Sequence, residues 1–247
     1  MPVSFAGNIV LGGVVSVSPN VALPPLKLNQ VITGTSANQT ASSSFTSLAA
    51  NSLIVLSCAA DSSIPTTLTM TITSNPSLTW VKSVDPTLNT NSQPIFIYTA
   101  KFNAGGNLAV TASTTDTLPS GFIGYAFTNY NTNQPTGSYT VGSNRNVNFA
   151  EQYSTGSIYI TGSNSYIIGV AGDWDGTTAQ GYPTVTFVSS SVLVWSDTVY
   201  GVTYYTAYHY WSTGSSYVAG NTYNFGNTSP SNTQKHITHA FLEILSQ

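Results

Sequence analysis

The stretch Thr66-Thr67-Leu68-Thr69-Met70-Thr71-Ile72-Thr73 decides the fold class. Leu68, Met70 and Ile72 alternate with Thr67, Thr69, Thr71 and Thr73. Successive side chains of an extended chain point to opposite faces, so this period of two builds one apolar face and one hydroxyl face. β-Branched Thr suits the solvated face of a strand. Asn75-Pro76 then marks a turn, and an extended run around Trp80 resumes over Leu78–Val84.

Working outward, short strand signals recur along the chain. They cover Leu53–Ala60, Ile95–Phe102, Leu108–Ala112, Phe122–Tyr130, Ser157–Ile160, Tyr166–Ala171, Thr184–Val188, Val192–Trp195, Val199–Trp211, Tyr223–Phe225 and Ile237–Leu245. Gly- and Asn-rich turns such as Asn103–Gly106 and Gly162–Ser165 separate them, and no stretch has the period of an amphipathic helix. The pattern predicts an all-β protein, a two-sheet antiparallel β-sandwich. Leu53–Ala60 and Ala240–Leu245 are apolar on both faces, which predicts central positions, as neighbours in a sheet. Ser18–Leu26 carries Pro19, Pro24 and Pro25 and cannot form a central strand, because Pro lacks the ladder donor. Residues 1–27 therefore read as an N-terminal arm or linker, and residues 28–247 as one sandwich domain. Gly34–Ser44, rich in Ser, Thr and Asn, reads as a loop. No solenoid or propeller repeat is visible.

Charged residues make up only 5% of the 247, where about 25% is usual. The polar surface must then be made of Ser, Thr, Asn, Gln and Tyr, which do not titrate near neutrality. Such a surface suits a protein exposed outside cells, and its low charge favours assembly. The cations Lys27, Lys82, Lys101, Arg145 and Lys235 are dispersed, so no nucleic-acid partner is expected. No segment reaches the ~18 apolar residues of a membrane span. The single cysteine, Cys58, lies in the apolar run and reads as an inert core residue. Met1-Pro2-Val3-Ser4 opens without the basic and apolar regions of an export signal. An extracellular-type composition without such a signal fits a particle made in host cytoplasm; an extracellular or cell-surface location is the alternative.

Catalytic and metal chemistry find little support. Asp173-Trp174-Asp175-Gly176 reads as a turn that could offer Asp173 and Asp175 to Ca²⁺, but the rest of a cation loop is missing. His236 and His239 fall on opposite faces of a strand, and no spacing motif joins His209 to them. Glu151, Glu243 and six Asp are the whole supply of carboxylates, with no sign of a tuned acid–base pair. No nucleophile elbow or phosphate loop appears. No enzyme activity and no cofactor are expected. The aromatic strand is more informative: Tyr204, Tyr208 and Tyr210 share one face, and Tyr205, His209 and Trp211 the other. With Trp174, these Tyr and Trp residues suit core packing, a subunit interface or stacking on sugar rings.

From Asn51-Ser52-Leu53-Ile54-Val55-Leu56-Ser57 onward, the order of elements resembles jelly-roll-like structural proteins of phage and virus particles. The resemblance continues through Leu78-Thr79-Trp80, Ile97-Tyr98-Thr99-Ala100, Leu108-Ala109-Val110-Thr111 and Tyr166–Gly172. It closes on Ala240-Phe241-Leu242-Glu243-Ile244, and a Gly expected after Tyr130 is absent. It implies a jelly-roll sandwich in a minor capsid, decoration, turret or tail component. Other virion proteins and further copies of the chain would be its partners, and no catalytic residues carry over. The alternative is a carbohydrate-binding or adhesion module, using host-surface glycans and the aromatic residues above.

Overall fold

The computed structural model describes residues 24–36, 38–60, 67–85, 94–116, 120–145, 152–175, 190–199, 202–211, 217–229 and 236–247. At 143–145, 152–156, 171–175, 190–199, 202–211, 223–229, 236–237 and 239 it describes the backbone alone. Among the described residues every named element is a strand. In chain order these are β1 (Lys27–Ser36), β2 (Thr40–Leu48), β3 (Ser52–Ala60), β4 (Met70–Asn75), β5 (Val81–Val84), β6 (Ile95–Phe102), β7 (Gly106–Thr114) and β8 (Ser120–Thr128). They continue with β9 (Thr136–Arg145), β10 (Gln152–Tyr159), β11 (Tyr166–Asp175), β12 (Ser190–Val199), β13 (Val202–Trp211), β14 (Thr222–Ser229) and β15 (His236–Ile244).

The strands form four antiparallel sheets: β2-β7-β4, β1-β8-β3-β6-β5, β12-β13-β11-β15-β9 and β10-β14. A single pair of sheets was expected from the sequence; here the two five-stranded sheets pack on each other, and each carries a smaller sheet on its far face. β3 shows why. Leu53, Val55 and Ala59 enter a core shared with Ile168 and Val170 of β11 and Ala240, Leu242 and Ile244 of β15. Ile54, Leu56, Cys58 and Ala60 point the other way, into a second core with Phe45, Met70 and Val110 of the β2-β7-β4 sheet. Both faces of the strand are buried, so both had to be apolar. β15 is likewise central, but it is not β3's neighbour in a ladder: across the shared core β3 packs against β11, and β15 against β6 and β5.

The same strand order occurs twice. In residues 27–128 the first strand, β1, lies beside the last, β8. Then come the third, β3, the third from last, β6, and the fourth from last, β5. In residues 136–244 the series β9, β15, β11, β13, β12 has the same form. On the outer sheets the second strand pairs with the penultimate in both halves, β2 with β7 and β10 with β14.

Several sequence expectations change. Gly34–Ser44 is mostly strand, because Thr40 and Ser42 share hydroxyl hydrogen bonds with Ser113 (3.2 Å) and Thr111 (2.9 Å) while Ala41 is buried. Leu78–Trp80 is not strand: the Leu78 N–H and the Trp80 Nε1–H both donate to the Ser74 hydroxyl, at 3.1 and 3.2 Å, which curls the chain. Val199–Trp211 breaks into two strands that pair back from Val199 and Val202. β9 carried no recognised signal, being rich in Gly, Ser and Thr. Thr184–Val188 and residues 1–23 of the expected arm lie outside the described residues; Leu26 is already buried in the shared core, and β1 begins at Lys27.

The connection between the halves is tied down by the C-terminal residues. Tyr130 is buried in the shared core and bridges to Ser246. The Asn131 N–H donates to the Leu245 carbonyl (2.9 Å), and the Leu245 N–H donates to the Pro135 carbonyl (3.0 Å). Lys101 Nζ donates to the Thr132 carbonyl at 2.6 Å. Phe127 of the first half meets Tyr166 of the second edge-to-face at 5.3 Å, a geometry aromatic pairs favour. Among the described residues no helix is long and apolar enough to cross a membrane.

Candidate functional site

The sequence pointed to the far end of β11 and to β13. Asp173-Trp174-Asp175 is not a turn: β11 runs extended through Asp175 because β13 pairs it on one side and β15 on the other. Two ladders outweigh the local turn preference of Asp and Gly. In a strand, positions 173 and 175 share a face.

Register also sorts the aromatic positions. Ile168 and Val170 face the core between the halves, so alternation puts position 174 on that face. Trp174 pairs with Thr206 and Gly172 with Tyr208, so Tyr204, Tyr208 and Tyr210 belong to the same face. Tyr205 and Trp211 fall on the opposite face with Asp173 and Asp175, the face that bears the β10-β14 layer. His236 and His239 fall on opposite faces of β15. For Asp173, Trp174, Asp175, Tyr204, Tyr205, Tyr208, Tyr210, Trp211, His236 and His239 the structure describes the backbone alone. Among the described residues no three His, Cys, Asp or Glu side chains gather as a metal site.

The most constrained chemistry is at Glu243, which the sequence reading counted only as one carboxylate among few. It is fully buried in β15, on the outer face with Phe241. Its Oε1 accepts from the Thr161 N–H (3.0 Å), the Gly162 N–H (3.0 Å) and the Ser165 hydroxyl (2.8 Å). Its Oε2 accepts from the Ser138 N–H (3.1 Å), the Thr161 N–H (3.0 Å) and the Thr161 hydroxyl (2.7 Å), with the Ser138 hydroxyl at 3.5 Å. Burial alone would raise its pKa, but the hydrogen bonds from Gly162, Thr161 and Ser138 outweigh burial and hold it below the ordinary glutamate value. Gly137 makes room for the site, since a Cβ there would land on Glu243 Oε2. The carboxylate thus clamps β9 and the β10–β11 turn onto β15. One signal was available: a lone Glu inside the apolar run Ala240–Leu245 must find partners if buried.

No family model, curated protein or solved structure matches this chain.

A groove of mixed polar and apolar lining, with a cavity volume of ≈ 490 Å³, opens beside β1, β2 and β8. Lys27, Asn29, Gln30, Ser47 and Asn129 line it. Asn29 Nδ2 donates to the Thr128 hydroxyl (2.7 Å), and Gln30 exchanges two hydrogen bonds with Thr46, accepting from its N–H (3.2 Å) and donating to its hydroxyl (3.3 Å). Ser47 (φ 52°) and Asn129 (φ 61°) hold left-handed backbone on its wall, a conformation costing about 1–3 kcal/mol for a non-glycine residue.

Proposed function

We propose that the chain is a non-catalytic structural subunit of a virus particle, built as two jelly-roll sandwiches in tandem. One observation carries the reading: in each half the first strand lies beside the last and then the third, while the second pairs with the penultimate across the sandwich. That order supports a jelly-roll reading, in line with the sequence's resemblance to jelly-roll proteins of phage and virus particles. The nearly uncharged surface supports assembly, since little repulsion separates neighbouring copies. Its partners would be other virion proteins and further copies of itself. Purified particles should contain the chain at a fixed stoichiometry, and the isolated protein should gain mass with concentration in light scattering. Absence from particles would sink the proposal.

A second reading, carbohydrate binding, is favoured by the groove that Lys27, Asn29, Gln30 and Asn129 help to line, whose volume falls in the range of small-ligand sites. A glycan array with Asn29→Ala and Trp211→Ala variants tests it, and binding unchanged by both counts against it.

A further inference from the structure

Asn38-Gln39-Thr40 has the order of an N-glycosylation acceptor, with no proline at its centre. All three residues are exposed. They form the corner where the chain leaves β1, an edge of one five-stranded sheet, and enters β2, an edge of the β2-β7-β4 sheet. The backbone there is held firmly. The Asn38 N–H donates to the Ser36 hydroxyl (3.1 Å), the Ser120 hydroxyl donates to the Asn38 carbonyl (3.2 Å), and the Thr114 N–H donates to the Gln39 carbonyl (2.9 Å). Among the described residues the Asn38 carboxamide makes no hydrogen bond, so its nitrogen is presented to solvent. The other acceptor sequence, Asn227-Thr228-Ser229, sits inside β14 and is paired throughout with β10.

The location has a physical use. Open sheet edges invite pairing with other chains, and proteins usually blunt them with charge. β1 carries only Lys27 and β2 carries no charge at all. A glycan rooted at their shared corner would cover both edges with hydrated bulk.

We propose that Asn38 is a site of N-glycosylation, on the extracellular or cell-surface route that the sequence analysis gives as the alternative location. The carboxamide nitrogen attacks the anomeric carbon of an oligosaccharide carried on a polyprenyl phosphate. A carbon–nitrogen bond forms, the sugar–phosphate bond breaks, the lipid phosphate leaves with the bonding pair, and the amide gives one proton to the transferase. Thr40 supplies the hydroxyl that the transferase reads.

The full chain, exported from a host that carries an oligosaccharyltransferase, tests this by intact mass. The expected result is a glycan increment on the bare chain, lost in Asn38→Gln and Thr40→Ala and kept in Thr40→Ser and Asn227→Gln. A wild-type chain at bare mass, or an increment that survives Asn38→Gln, overturns the proposal.

Discussion

Replacing Glu243 by Gln keeps shape and volume but removes the charge and turns one acceptor into a donor. Neither orientation of the amide rescues the site. An NH₂ at the Oε1 position meets the N–H groups of Thr161 and Gly162; one at Oε2 meets those of Ser138 and Thr161. Hydroxyls can rotate away, but backbone donors cannot. A buried donor left without a partner costs about 1–3 kcal/mol, and a hydrogen bond to a charged group is worth about 1.5–3 kcal/mol. Two stranded donors therefore predict a loss of about 3–5 kcal/mol, large against a typical stability of about 5–15 kcal/mol. The assay is urea unfolding, read as a lower midpoint at unchanged slope. The carboxylate's folded pKa lies below its unfolded one, so its contribution is complete above the ordinary glutamate range. That contribution fades as pH falls through the folded value. Wild-type stability should thus drop in acid, while the Gln variant follows a flatter curve. A Gln variant within about 1 kcal/mol of wild type, with the same acid slope, would refute the anchor argument.

Other perturbations test neighbouring parts of the argument. Gly137→Ala drives a Cβ onto Glu243 Oε2 and the Thr161 hydroxyl and should destabilise by about 1–3 kcal/mol in the same assay; a neutral result would mean the clamp is looser than described. Ser57, buried in the seam between the halves, has a hydroxyl with no hydrogen-bond partner among the described residues, so Ser57→Ala should be neutral or stabilise by up to about 1 kcal/mol. Leu242→Ala empties part of the shared core and should cost about 2–5 kcal/mol, and calorimetry should show the halves melting together, since two separated transitions would contradict a common core. Cys58 is fully buried and its thiol is pushed well above the ordinary value, so a thiol reagent should label it only on unfolding.

The sequence by itself determined the class of structure and several of its central pieces. Alternation at Leu68–Ile72 and continuous apolar runs at Leu53–Ala60 and Ala240–Leu245 reflect which faces are buried, and burial acts residue by residue, so it is written locally. It could not say which faces meet. Whether β3 and β15 pair in one ladder or lie in opposite sheets of one core leaves the same apolar pattern in the chain. The duplicated strand order was invisible for a similar reason: it is a property of long-range pairing, and the two halves satisfy it with different residues. Gly34–Ser44 and β9 were missed because hydroxyls and glycines signal turns when read alone, yet pair well once a neighbouring strand supplies the ladder. Asp173–Asp175 failed the same way, with ladders on both sides overriding a turn signal. Glu243 stood in plain view as one charge in an apolar strand. Only the tertiary structure, by bringing Ser138, Thr161, Gly162 and Ser165 to it from distant parts of the chain, made it an anchor.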